Sequence, residues 1–221
     1  MAVLSGGLQT MSTYYEDSLD TSVEEFVHVN TIRLLAKLPV LAAYAHKKTI
    51  GQAFLYPDNN LSFVENFLRL NFGNRAEDYV LNPVLVDALD KLLILHADHE
   101  QNASTSTVRL VGSTGAIMFS SVSAGINALS GPLHGGANEA VLDMLGQIQE
   151  SGMGVQAFVE KVKNKEAGVK LMGFGHRVYK NYDPRARIVR ESAGKVLAEL
   201  GVNDPLLSLA QELEQIALED D

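Results

Sequence analysis

The stretch Asn82-Pro-Val-Leu-Val-Asp-Ala-Leu-Asp-Lys-Leu-Leu-Ile-Leu95 has the pattern of an α-helix with a marked start. Its leucines and valines recur at helical spacing, which aligns them along one face. Asn82 can accept hydrogen bonds from the first turn, and Pro83 suits the first helical position, where a missing N–H costs nothing. The sequence therefore predicts an amphipathic helix that begins at this Asn-Pro pair.

The same device appears twice more, at Asp183-Pro184 and Asp204-Pro205, and the first of these helices should end at Gly201. Ser62 precedes a further helical run that Gly73 should stop. Alternating strand patterns are scarce, and no repeat of fixed period is present. The chain is therefore predicted to be all-α.

Two stretches are less regular. Residues 21–48 have helical spacing with Thr21 or Ser22 as the N-cap, and Pro39 should break or kink this run into two helices. Residues 102–131 are rich in Ser, Thr, Gly and Ala, as in a loop or in buried helices packed backbone to backbone. Regularly interleaved apolar residues favour the packed helices.

Composition excludes several classes of protein. The 221 residues carry a formal net charge of −9, which argues against general nucleic-acid binding. The absence of Cys excludes a disulfide scaffold, Cys-ligated zinc, an iron–sulfur cluster and a thiol nucleophile. No uninterrupted apolar run is long enough to span a membrane, and the first residues lack the basic and apolar regions of a signal peptide. We expect a cytoplasmic protein.

His96 and His99 lie three residues apart at the end of the helix that starts at Asn82. Two such residues share a helical face, so a metal site is conceivable, but no third ligand is evident and the spacing is not that of a metalloprotease. One capping and one buried histidine is the favoured alternative. Binding of a substrate carboxylate by one of them is the competing functional interpretation.

His134 lies in Gly131-Pro-Leu-His-Gly-Gly-Ala-Asn-Glu139, between residues that favour a sharp turn. A helix starts directly afterwards, and its N-terminus favours anions. A histidine at such a point is a candidate hydrogen-bond donor or electrophile. An ordinary loop histidine is an equally good interpretation of this segment alone.

His176 lies in Gly173-Phe-Gly-His-Arg-Val-Tyr-Lys-Asn-Tyr-Asp-Pro-Arg185, a glycine loop followed by clustered cations in an otherwise acidic chain. Arginine at a helix start opposes the helix dipole, and a bound anion would relieve that conflict. The residues alone thus indicate a site for a small multi-carboxylate and a phosphorylated cofactor. They do not indicate a reaction.

Three segments together resemble the citrate synthase family, particularly its bacterial members: His96–Arg109, Gly131–Glu139 and Gly173–Arg185. Their order and spacing match the family pattern, and the similarity extends over essentially all 221 residues. The resemblance implies a multi-helical fold and a transferase of the tricarboxylic acid cycle. This enzyme condenses acetyl-CoA with oxaloacetate and hydrolyses citryl-CoA to citrate and CoA.

The resemblance also implies roles for individual residues. His134 should hydrogen-bond the thioester carbonyl and stabilise the acetyl-CoA enol, and His176 should polarise the oxaloacetate ketone. His99 and Arg185 should hold oxaloacetate. The backbone of Leu171, Met172, Gly173, Phe174 and Gly175 should lie against the CoA adenine, with Lys180 near its phosphates. Acetyl-CoA is a co-substrate, and neither a metal nor another cofactor is implied.

The match to the family also implies an organisation. Residues 1–140 should belong to the large helical domain and residues 141–221 to the small, CoA-binding one. The proton-accepting Asp of the family lies in an Asn-Val-Asp-Phe-Tyr-type segment that this sequence does not contain. The N-terminal portion of the family pattern also has no counterpart in this sequence. We therefore expect a central fragment that is weakly active or inactive alone.

Some alternatives remain open at this stage. The same residues suit 2-methylcitrate synthase, which uses propionyl-CoA. The other alternative is a non-catalytic helical fragment that dimerises and shows no turnover. The family implies a homodimer, and some bacterial members are NADH-inhibited hexamers. Such a nucleotide site would take its residues from positions occupied here by Tyr15, Arg33, Lys37 and Asn59. An equally good interpretation is that they are ordinary polar surface residues.

Overall fold

The structure, a computed structural model, describes residues 1–97, 101–174 and 183–219. These residues form ten α-helices and two short 3₁₀ helices and contain no strand, which confirms the all-α class. The α-helices are α1 (Ala2–Met11), α2 (Glu24–Thr49), α3 (Phe63–Phe72), α4 (Pro83–Ala97), α5 (Ala103–Gly112), α6 (Met118–Leu129), α7 (Ala137–Ser151), α8 (Val155–Lys163), α9 (Pro184–Leu200) and α10 (Pro205–Glu219).

All three Asx-Pro pairs start helices as predicted. In each case the cap's Oδ1 accepts the backbone N–H two residues further on, at 2.9 Å, from Val84, Arg185 and Leu206. These bonds satisfy donors that the first helical turn leaves without a partner. Gly201 ends α9 in the left-handed conformation, with φ of 61°, as a C-terminal glycine commonly does.

The start of α3 is a capping box. The Ser62 hydroxyl accepts the Glu65 N–H at 3.3 Å, and Glu65 Oε2 accepts the Ser62 N–H at 2.8 Å. The two residues thus satisfy each other's backbone donors. Gly73 follows the last residue of α3 and donates its N–H to the Arg69 carbonyl at 2.9 Å.

The prediction for residues 21–48 was wrong in two respects. The N-cap of α2 is Val23, whose aliphatic side chain cannot accept a cap bond. The hydroxyl of Ser22, a predicted cap, donates to Asp20 Oδ1 instead. Pro39 lies inside one continuous helix that it was expected to interrupt. Proline lacks one intrahelical N–H, but α2 packs against α1, α3 and α6, and these contacts support the helix on either side of it.

Residues 102–131 are two close-packed helices, as favoured over the loop. A Cβ built at Gly125 of α6 would lie 2.5 Å from Val108 Cγ2 of α5, so only glycine permits this approach. The Ser104 hydroxyl donates to the Gly125 carbonyl at 3.0 Å. The expectation of burial holds for α6 alone, since α5 has no fully buried residue and Leu110 is 71% exposed.

The chain divides into two compact units, Met1–Gly131 and Pro132–Asp221. The predicted domain boundary at residues 140/141 concerns the family's domains and stays a prediction. The first unit has a core of Leu8, Leu34, Phe119 and Ile126, from α1, α2 and α6. The second unit has a core of its own, formed by Met144, Leu145, Ile148, Val155, Phe158, Val159 and Leu213.

Within the described part of the chain, α2 is the one helix whose length and composition would allow it to cross a membrane. Length and composition alone are weak evidence, because core helices of other proteins pass the same test. Asn30 and Lys47 of α2 are both buried, and each donates hydrogen bonds within its unit. Lys47 Nζ donates to the Gly73 carbonyl and to Gln52 Oε1, each at 2.5 Å.

Candidate active site

His134 lies in a turn, residues 131–136, that leads directly into α7. The turn is tight because a Cβ at Gly136 would lie 2.7 Å from Pro132 Cα and 2.9 Å from the Pro132 oxygen. Leu133 is exposed, whereas His134 is half-buried. Close backbone approach thus requires glycine at position 136, two residues after His134 and directly before α7.

The first turn of α7 lies beside His134. Gly136 is its N-cap and provides no side-chain cap bond. The backbone donors of a first turn have no intrahelical acceptor, so they attract anions or carbonyl oxygens. A ligand that meets His134 here would therefore also meet a positive helix end.

The described part of the predicted CoA-binding segment, residues 171–174, lies against the same helix. Met172 donates its backbone N–H to the Met144 sulfur at 3.3 Å. Gly173 has a φ of 87°, and a Cβ there would lie 3.0 Å from Val141 Cγ2. Phe174 is 41% exposed. Helix α7 thus connects the His134 turn to the segment expected to meet CoA.

Arg185 lies in the first turn of α9, where its guanidinium pairs with Asp183. Arg185 Nε is 3.0 Å from Asp183 Oδ1, and its Nη2 is 2.6 Å from Oδ2. Both side chains are about one quarter exposed. A bound anion was expected to offset the positive charge at this helix start. The Asp183 carboxylate already provides such a negative charge.

Several predicted residues, His99, Gly175, His176 and Lys180, lie outside the described residues. His96 is described, and its Nδ1 lies 2.6 Å from the Leu92 carbonyl oxygen, one helical turn back. This contact agrees with the capping interpretation of that histidine. Among the described residues, no group of three or more His, Cys, Asp or Glu could hold a metal ion.

The candidate nucleotide residues fall into separate environments. Arg33 Nη1 pairs with both carboxylate oxygens of Asp17, at 2.7 and 2.6 Å, and its guanidinium lies 4.3 Å from the centre of the Tyr15 ring. Lys37 is exposed on α2, and Asn59 is exposed in the loop ahead of α3. Of these four residues, Tyr15 and Arg33 lie in contact, and the guanidinium of Arg33 is already paired with the Asp17 carboxylate.

Sequence patterns missed three residues of this site: Val141, Met144 and Asp183 as the partner of Arg185. Asp183 had a visible signal, because an N-cap two residues before an arginine can reach its guanidinium. Val141 and Met144 had none, since they resemble ordinary core residues of an amphipathic helix. Their contacts with Met172 and Gly173 join residues about thirty positions apart.

Comparisons with known proteins identify the family of the chain. The family model "Citrate synthase, C-terminal domain" matches residues 1–221. Citrate synthase 1 of Mycobacterium tuberculosis is 66% identical over 221 residues, which are 100% of this chain and 51% of that protein. The citrate synthase of Corynebacterium glutamicum is 59% identical over 222 residues and is also 51% covered. The chain thus spans about half the length of these curated relatives.

Solved structures give the same result. The crystal structure of citrate synthase from Pyrobaculum aerophilum matches 96% of this chain with a TM-score of 0.81 and 37% identity, and 53% of that chain is covered. Citrate synthase from Thermotoga maritima matches 99% with a TM-score of 0.74 and 30% identity, over 55% of that chain. The family match over all 221 residues and the shared helical fold lead to one assignment: the chain belongs to the citrate synthase family.

Proposed function

We propose that this chain supplies acetyl-CoA- and oxaloacetate-binding residues of a citrate synthase. The observation that carries the proposal is the position of α7. This helix starts directly after the His134 turn, and its residues Met144 and Val141 contact Met172 and Gly173. One rigid helix therefore relates the residue expected at the thioester to the segment expected at the adenine. Such fixed spacing suits a long, two-ended ligand such as acetyl-CoA.

The proposed chemistry is a carbon–carbon condensation followed by hydrolysis. A base removes a methyl proton from acetyl-CoA, and His134 donates a hydrogen bond to the thioester oxygen as the enol forms. The enol carbon attacks the oxaloacetate ketone, whose oxygen His176 polarises and whose carboxylates His99 and Arg185 hold. Water then cleaves the thioester and releases citrate and CoA.

The proton-accepting Asp of the family pattern is not among these 221 residues. Base-catalysed proton removal typically contributes about 10²–10⁴-fold in rate. We therefore expect this chain to bind both substrates and to turn them over slowly by itself. The proposal needs neither a metal nor a cofactor, because acetyl-CoA is a co-substrate.

The assembly and location follow from the same proposal. We expect a homodimer because the family resemblance implies one, and a cytoplasmic location because the named curated relatives are bacterial citrate synthases. A hexamer regulated by NADH through Tyr15, Arg33, Lys37 and Asn59 is the second possibility. In support of this second possibility, Tyr15 and Arg33 lie together; Arg33 already pairs with Asp17, so a nucleotide phosphate would have to share that arginine with the carboxylate.

Thiol release tests the proposed reaction directly. The chain contains no Cys, so every thiol that appears on mixing it with acetyl-CoA and oxaloacetate comes from CoA. His134→Ala should lower this rate about 10²–10³-fold, as loss of one oxyanion donor does. His28→Ala is the matched control, since His28 is exposed on α2 and should leave the rate unchanged.

Calorimetric titration with CoA and with oxaloacetate complements the assay and does not depend on turnover. Binding of neither ligand by the unsubstituted chain would contradict the proposal. Equal thiol release by the chain and by His134→Ala would contradict the role of that histidine. Faster release from propionyl-CoA than from acetyl-CoA would assign the reaction to 2-methylcitrate formation.

A further inference from the structure

We propose that Met144 is a positioning residue for CoA. Its sulfur accepts the backbone N–H of Met172 and so fixes the peptide that is expected to face the adenine. The inference rests on the proposed function, because only a CoA-binding role for residues 171–174 gives this contact a consequence for a ligand. Nothing in the sequence distinguishes Met144 from an ordinary core methionine.

The contact itself is well defined. Met172 N lies 3.3 Å from Met144 Sδ, and Met144 is 4% exposed in the core of the second unit. Met172 belongs to no helix, and within the described residues this sulfur is the one acceptor of its N–H. The bond is partly buried. A backbone donor that is shielded from water and has no acceptor is costly, so even a weak thioether acceptor helps to hold the peptide in place.

The orientation of the Leu171 carbonyl follows from the planarity of the peptide. No cis peptide bond occurs in the described chain, and in a trans unit the carbonyl points opposite to the next residue's N–H. Because the Met172 N–H points at the Met144 sulfur in the core, the Leu171 oxygen points away from that sulfur. A carbonyl with this orientation can accept a hydrogen bond from the exocyclic amino group of adenine, which is a donor.

A second contact holds the next residue on the same helix face. Gly173 approaches Val141 so closely that a Cβ would lie 3.0 Å from Cγ2. Val141 and Met144 are three residues apart on α7 and therefore neighbours on its surface. The rise of a helix places them about 6 and 10 Å along the axis from Ala137. Their distance from the His134 turn is thus set by regular helix geometry.

A purely structural role for Met144 would make a different prediction. Leucine has nearly the volume of methionine, and such a swap in a core is usually tolerated. Met144→Leu therefore keeps the packing and removes the acceptor alone. A control is available in Met153, which packs against the same core and whose sulfur accepts no hydrogen bond in the described part of the chain.

Calorimetric titration of the 221-residue chain with CoA, 4′-phosphopantetheine and oxaloacetate tests the inference. Met144→Leu should weaken CoA binding roughly three- to tenfold, the range that one neutral hydrogen bond supports. Binding of 4′-phosphopantetheine, which lacks the adenosine, should not change, and neither should that of oxaloacetate. Met153→Leu should leave all three affinities unchanged.

Each result decides a separate question. CoA affinities that are equal for Met144→Leu and the unsubstituted chain would overturn the inference and leave the proposed function standing. No CoA binding by the unsubstituted chain would overturn the proposed function, and this inference with it. Amide hydrogen exchange of the unsubstituted chain adds a test that needs no variant. The Met172 amide should be protected, and exchange at the rate of an unfolded peptide would also overturn the inference.

Discussion

Asp183 and Arg185 form a bidentate ion pair in which one carboxylate serves both a helix and a guanidinium. Oδ1 of Asp183 accepts the Arg185 backbone N–H at 2.9 Å and its Nε at 3.0 Å, while Oδ2 accepts Nη2 at 2.6 Å. An arginine in the first turn of a helix opposes the dipole, and the Asp183 charge offsets that conflict. The pair also fixes the plane of the guanidinium that is expected to meet oxaloacetate.

Removal of the Arg185 charge should weaken oxaloacetate binding. Arg185→Gln keeps a polar side chain of moderate length but loses the charge-assisted bonds, which predicts a loss of at least about tenfold in affinity. Calorimetric titration with oxaloacetate measures it. Arg187→Gln is the control, because Arg187 is exposed on the same helix and has no ion pair in the described part of the chain. Equal affinities for the two variants would remove Arg185 from the site.

Two substitutions at Asp183 separate capping from orientation. Asn is as good an N-cap as Asp, whereas Ala costs about 1 kcal/mol at that position. Asp183→Ala should therefore lower the free energy of unfolding by about 1 kcal/mol more than Asp183→Asn does. Both variants should weaken oxaloacetate binding, because both release the guanidinium. Denaturant unfolding and titration measure the two effects, and unchanged binding by Asp183→Asn would contradict the orienting role.

Two glycines of the second unit should respond to alanine with opposite signs. Gly136→Ala places a Cβ 2.7 Å from backbone atoms of Pro132, and such overpacking costs about 1–3 kcal/mol. Gly146 lies inside α7 with nothing within 4 Å of its Cβ position, so Gly146→Ala should stabilise by about 0.5–1 kcal/mol. Denaturant unfolding of both variants checks the signs. Equal effects would show that the turn around His134 is not tightly packed.

Much of the helical fold was predictable because its signals are local. The caps at Asn82, Asp183 and Asp204 and the stop at Gly201 depend on neighbouring residues, and all four are confirmed. Pro39 was misjudged because contacts of α2 with three other helices outweigh the local cost of a proline. Long-range packing of this kind leaves no mark in a short window of sequence.

The candidate site was predictable in the same uneven way. The glycines around His134 and the cations after His176 stand out by type and spacing, and the family resemblance gave them roles. The sulfur of Met144 gave no signal, because its role depends on a peptide twenty-eight positions away. Ligand-binding residues can be recognised from residue type and spacing in the sequence. The residues that position them can be recognised only from contacts in the folded structure.

The capping box of α3 should make the stability of the chain depend on pH in the acidic range. The hydrogen bond from the Ser62 backbone N–H, and then that with the Ser62 hydroxyl, lower the pKa of Glu65 below its ordinary value of 4.5. A lowered pKa in the folded state means that this stabilisation is present above the ordinary pKa and is lost as the pH falls through the folded value. Glu65→Gln should lack that contribution at neutral pH and should lose less stability on acidification than the unsubstituted chain. Unfolding midpoints across this pH range measure the difference, with Glu77→Gln as the control, because the Glu77 carboxylate makes no hydrogen bond in the described part of the chain. Parallel pH profiles for Glu65→Gln and the unsubstituted chain would contradict the assignment of the lowered pKa to the capping box.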